Sequence, residues 1–266
     1  MRAHLKFPAW FQTLLVVLLA CGLLAWLNLT PSGLFGKADA IGYAVCHRIP
    51  GHSYWIGERQ FPLCARCSGM YLGALIGFLY LGRLGRRAGL PVRRVQLLLA
   101  AALLAFALDG VNSYLTFFPQ LPHLYQPLNA LRLLTGLLVG IGIASILLPT
   151  FNSVVWQSSN DRPVLDSLRH FAGLLGCAGL AALALVSDNP LLAYPLVLLS
   201  VAGLLSMLTL AYSLAWILFT RKENSFQTWR EFRPVLLLAA ASTLLQIAAL
   251  DAARYLFTGS WAGFNL

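Results

Sequence analysis

The stretch "LLAYPLVLLSVAGLLSMLTLAYSLAWILF", Leu191 to Phe219, runs for 29 residues without one charged side chain. A helix of about 20 apolar residues crosses a hydrocarbon core of about 30 Å. The stretch therefore reads as a membrane span, long enough to tilt or to begin in the interface. Similar runs recur on both sides of it. Seven spans are expected: Pro8–Leu29, Ser68–Leu84, Val95–Thr116, Leu128–Leu148, Leu168–Val186, Leu191–Phe219 and Pro234–Phe257. The fifth carries Gly173, Gly176 and Gly179, which lower its helix propensity. Across all 266 residues the chain is 59% hydrophobic and 11% charged, where a soluble domain is nearer half and a quarter. The expected fold is an all-α polytopic membrane bundle of about seven helices. Residues 1–266 form one integral membrane domain, because no polar linker is long enough to divide them.

The net charge of +10 does not point to nucleic acid, because the basic residues sit in short segments beside the apolar runs. They also set orientation. With the N-terminus inside, the inner segments hold 13 basic residues: Arg2, Lys6, Arg83, Arg86, Arg87, Arg93, Arg94, Arg162, Arg169, Arg221, Lys222, Arg230 and Arg233. The outer segments hold four, Lys37, Arg48, Arg59 and Arg66. This bias predicts a multi-pass protein of the cell membrane with its C-terminus outside. The first apolar run is longer than a signal-peptide core and no small-residue cleavage site follows, so it reads as a retained span.

The longest loop, 30–67, is then on the outer face and ends in "YAVCHRIPGHSYWIGERQFPLCARCSGMYLGALIG", Tyr43 to Gly77. Cys46, Cys64 and Cys67 gather there with His47 and His52, whereas Cys21 and Cys177 are lone cysteines within spans. Three thiols are an odd number for purely structural disulfides. The residues admit three readings. A metal takes Cys46, Cys64, Cys67 and a histidine, zinc being the expected ion because Cys-x-x-Cys is a common half-site for it. A Cys64–Cys67 pair could exchange electrons with Cys46 as partner. A disulfide could simply staple the loop. A helix start and Arg66 favour thiolate in the first two alike.

Ionisable residues within spans are costly and usually functional or paired. Asp109, Arg132, Asp251 and Arg254 all fall in the outer third, level with the cysteines. Asp109 shares a helix face with Asn112, Asn129 with Arg132, and Asp251 with Arg254. They are expected to meet or to line one polar pocket under the loop, with Asp109–Arg132 the first pair and Arg66 nearby. Gly69, Gly73 and Gly77 form a small-residue ridge that would draw the cysteine-bearing helix into the bundle. Gly136 and Gly140 continue the Asn129–Arg132 stripe.

Two blocks carry a resemblance. Cys46, His47, Pro50, Ser53 and the run Pro62-Leu63-Cys64-Ala65-Arg66-Cys67-Ser68-Gly69, with Tyr71 and Gly73, resemble the signature of an uncharacterised family of prokaryotic polytopic membrane proteins, a domain of unknown function. Asp109, Gly110, Asn129, Arg132, Thr135 and Gly136 are similar to its second block. The resemblance spans about Cys46 to Gly140 and implies no activity. His52 stands where a basic residue is expected before Ser53, which favours His47 as the ligand.

The leading reading is a membrane protein with an outer Cys/His zinc site above a polar pocket. If it is catalytic, Asp109 acts as acid or base and Arg132 holds an anionic group such as a lipid phosphate. The alternative is a membrane thiol–disulfide oxidoreductase that uses Cys64 and Cys67 with Cys46 and a quinone. A third reading is a transporter whose path is Asp109, Arg132, Asp251 and Arg254. Expected partners are the bilayer and a lipid or quinone.

Overall fold

The computed structural model describes residues 9–118, 120–187 and 189–263. Arg2, Lys6 and Pro8, called above for the inner segment and first span, lie outside them. The described chain is mostly helical. In order it contains α1 (Ala9–Leu29), α2 (Gly33–Val45), α3 (Ala65–Gly82), α4 (Arg93–Leu115), α5 (Asn129–Val155), α6 (Leu168–Leu185), α7 (Pro190–Thr220) and α8 (Trp229–Thr258). Four short strands join them: β1 (Trp55–Ile56), β2 (Arg59–Gln60), β3 (Arg87–Gly89) and β4 (Asn160–Pro163). Five helices, α4 to α8, are long and apolar enough to cross a membrane. α3 falls short because Arg66, Ser68 and four glycines dilute its leucines. In α1 the described apolar part is Ala20–Leu29.

Local signals set the helix starts. Ser167 caps α6 by accepting from the His170 amide, and Asn189 caps α7 ahead of Pro190 at its first position. Thr228 and Glu231 form a reciprocal cap. Thr228 Oγ1 accepts from the Glu231 amide while Glu231 accepts from the Gln227 amide. That box starts α8 at Trp229, five residues before the expected Pro234. Gly259 ends it at φ +66, a left-handed cap.

The centre is α3, packed between α5 and α7. Its glycines are the reason. A Cβ on Gly69 would collide with the Leu133 carbonyl and one on Gly73 with the Leu137 carbonyl. The fit is reciprocal: a Cβ on Gly136 would strike the Arg66 carbonyl and one on Gly140 the Met70 carbonyl. Two backbones thus lie in direct contact, as small-residue stripes permit.

At the end of the bundle rich in arginine, β3 pairs in parallel with β4. The pairing joins the α3–α4 and α5–α6 connections. Arg86 stacks on Trp156 at 3.8 Å, and Asp166 takes a 2.9 Å bond from Arg87. At the opposite end lies residues 30–67, which is not the plain loop expected. It contains α2, a turn of 3-10 helix at Pro50–His52 and the β1–β2 hairpin. Gly57, at φ +57, takes the first central place of the hairpin's two-residue turn.

Candidate metal centre

Two helices bring the cysteines together. Cys46 closes α2, Cys64 precedes the first residue of α3, and Cys67 lies in the first turn of α3. α2 approaches so closely that a Cβ on Gly42 would collide with the Pro62 carbonyl. One turn beyond Gly42, the Cys46 sulfur therefore lies against Cys64, and the Cys64 amide donates to it at 3.3 Å. Donor atoms of Cys46, His47 and Cys64 all lie within 4.8 Å of one another. In a tetrahedral zinc–thiolate site, ligand sulfurs are about 3.8 Å apart, given Zn–S bonds near 2.3 Å. An ion thus needs a contraction of at most about 1 Å. Cys67 is not in this tight triplet and lies in the first turn of α3 beside it. All five cysteines are free thiols.

Electrostatics single out Cys46. Bonds from the Cys64 and Cys67 thiols, then from His47 and the Cys64 amide, outweigh burial and hold it well below the ordinary thiol value. Cys64, hydrogen-bonded to that sulfur, is pushed up to about 12. A thiol lowered in this way suits a metal ligand and a nucleophile alike. His47 is exposed, and its Nδ1 accepts from the Ile49 amide at 3.2 Å. His52 packs edge-on to His47 and against Phe117, with centroids 5.6 and 5.5 Å apart. Burial, then the charge of Arg132, pushes His52 down to about 4, so it is neutral at pH 7.

The polar residues divide into two groups. In the first, Arg66 forms an ion pair with Asp109, and Asp109 also accepts from the Tyr125 hydroxyl at 2.7 Å. Arg132 does not pair with Asp109 as expected. Its guanidinium donates instead to Ser113 at 2.7 Å and to Asn129 at 2.8 Å. The reason is geometric: Arg66 already extends from α3 to Asp109, whereas Ser113, one turn beyond Asp109, faces α5. Asn129 donates to the Gly51 and Ser53 carbonyls and so docks the Cys/His loop on α5. Asn112 accepts from Leu124 at 2.6 Å and donates to the Tyr125 carbonyl, fastening the α4–α5 connection.

The second group lies on the α8 side. Arg254 donates to the carbonyls of Tyr43 and Cys46 at 2.6 Å and stacks on the Tyr43 ring at 4.0 Å. Asp251 accepts from the Trp26 indole at 2.8 Å. The two residues form no ion pair with each other among the described residues, and they are bonded to different elements from the Asp109 group.

Sequence reasoning passed over Asp39, which ties Arg48 and Arg59 together at 2.9 and 2.5 Å. The signal was there: Asp39 is the first acid in the chain, with Glu58 the next. Arg48 is buried and held at φ +51, so this clamp fixes a strained turn two residues after Cys46. Tyr43, Ser113 and Tyr125 were also missed. Ser113 could have been found at i+4 from Asp109.

Residues 46–146 match a family described as a predicted membrane protein (DUF2085). A protein of Methanothermobacter thermautotrophicus, described only as uncharacterized, is 36% identical over 100 residues, covering 38% of this chain and 81% of the relative. An uncharacterized protein of Methanocaldococcus jannaschii is 28% identical over 118 residues, 44% of this chain and 70% of the relative. No solved structure matches. The family match holds the cysteines, His47 and the Asp109–Arg132 region, and it stops short of α8.

Proposed function

The chain belongs to the DUF2085 family of predicted membrane proteins, and we propose that it is an integral membrane protein holding one transition metal, zinc by ligand type, at Cys46, His47 and Cys64. Cys67 completes the set by a small rotation. The observation that carries this reading is the convergence of two thiols and an imidazole within 4.8 Å in a site without a disulfide. A bound zinc supplies a Lewis acid and stabilises the Cys46 thiolate. Around it Arg66, Asp109 and Arg132 form a charged wall. In a catalytic version, Asp109 moves a proton and Arg132 orients an anionic head group such as a lipid phosphate.

The proposed topology is seven spans, N-terminus inside, with the Cys/His segment on the outer face. The basic residues at the β3–β4 end support it. The second reading, a thiol–disulfide oxidoreductase, is favoured by one observation: the free thiols of Cys46 and Cys64 lie side by side, with the Cys64 amide donating to the Cys46 sulfur at 3.3 Å.

Metal analysis of protein purified without chelator separates the two. The metal reading expects about one zinc per chain, lost in Cys46→Ser and Cys64→Ser and reduced in His47→Ala. Metal-free protein whose thiols cycle with a quinone overturns it.

A further inference from the structure

Between α1 and α8, on the far side of Arg254 from the cysteines, lies a groove of about 460 Å³ lined by Gly22, Trp26, Ala248, Asp251, Tyr255 and Trp261 among others. It continues along both helices into a second space of about 330 Å³, walled by alanine and leucine, with Gly22, Trp26 and Ala248 common to both. Its upper part contains one formal charge, the Asp251 carboxylate, only 2% exposed. Trp26 satisfies one carboxylate oxygen, whereas Oδ1 is buried without a hydrogen-bond partner. A buried acceptor left unmet is destabilising.

The neighbouring cations make their hydrogen bonds elsewhere, with the Lys37 ammonium 5.8 Å from the Trp26 ring centroid. Arg254 reaches the Tyr43 and Cys46 carbonyls, and Lys37 donates to the carbonyl and hydroxyl of Thr30. Three aromatic rings, Trp26, Tyr255 and Trp261, line the same part of the groove, the last two 5.2 Å apart. A negative charge set among aromatic faces is the chemistry that recognises an ammonium. Such a cation gains from the rings and from the carboxylate field without touching Oδ1. The apolar extension suits a chain.

We propose that this groove binds a membrane amphiphile with an ammonium head, the head among Trp26, Tyr255 and Trp261 beside Asp251 and the chain running past Gly22 and Ala248. The site is separate from the metal centre and outside the family match.

The test uses full-length protein in maltoside micelles, titrated with dodecyltrimethylammonium, dodecanol and dodecyl sulfate and followed by tryptophan fluorescence and thermal unfolding. Only the ammonium should bind saturably. Asp251→Asn should weaken it about tenfold. Gly22→Leu should abolish it by filling the groove. A Cβ at Gly22 meets nothing within 4 Å, so this variant keeps the test open if Asp251→Asn does not fold. Equal binding of the alcohol, tighter binding of the sulfate, or ammonium binding indifferent to both substitutions overturns the proposal.

Discussion

Arg66, one of the two residues between Cys64 and Cys67, is the ion-pair partner of Asp109, and Arg132 is left to Ser113 and Asn129. The Cys-x-x-Cys is therefore wired to α4 through one of its own inner residues. Removing one partner of such a pair strands the other. Asp109→Asn should cost about 2 kcal/mol, discounted because Arg66 is partly exposed, and Asp109→Asn with Arg66→Gln should cost less than the sum of the single changes. The same cycle with Arg132→Gln should be nearly additive. Thermal unfolding in detergent measures both, and strong coupling to Arg132 in place of Arg66 contradicts the geometry.

The contact between α3 and α5 should be intolerant of a single methyl. Gly136→Ala drives a Cβ into the Arg66 carbonyl, so it should lower the unfolding midpoint and loosen the cysteine site. Gly176→Ala, with nothing within 4 Å, should be neutral or slightly stabilising. Equal effects from the two would mean that the helices do not touch as described.

Acid should loosen the β3–β4 end. Bonds from His170 first, and then from Arg87, hold the Asp166 carboxyl at about 2, below its ordinary 3.8. A depressed carboxylate stabilises above its unfolded value, and that stability is lost as pH falls through the folded one. The difference in unfolding midpoint between the native protein and Asp166→Asn should be constant above about pH 4 and shrink towards pH 2. It should also shrink with salt, because the group is exposed. A difference that grows with acid would refute the assignment.

Orientation has a direct test. Reporter fusions in the 86–94 segment should read inside and fusions after the last helix outside. An impermeant thiol reagent applied to intact cells should then reach Cys46 from the exposed His47 side, and more slowly once zinc is added. Reversed reporters would place the thiols in a reducing compartment and remove the outer-face reading.

The long helices were legible because apolar runs of span length have few other uses, and the described bounds lie within a few residues of the expected ones for α4, α6 and α7. α5 runs on to Val155 through Pro149, which no run of hydrophobicity would predict. α2 was invisible for a physical reason: three glycines, Lys37 and Asp39 hide a 13-residue helix whose burial comes from close approach and not from large apolar groups. At the site, residue types drew attention to the cysteine and histidine cluster that the structure gathers, and helical spacing put Asp109 with Asn112, Asn129 with Arg132 and Asp251 with Arg254 on shared faces. Spacing gives a face but no partner. That is why Asp109–Arg132 was expected and Asp109–Arg66 was found.

The backbone contact of α3 with α5 also fixes one half of the cysteine site. Interlocked glycines let one helix slip past the other only in whole turns of about 5.4 Å. Cys64 and Cys67 are therefore anchored like the fixed jaw of a vice. Cys46 sits at the end of α2, a short helix held to the bundle by Arg254 and by the Asp39 clamp. The third sulfur is therefore held against the other two by side-chain bonds as well as by the close approach of Gly42 to Pro62.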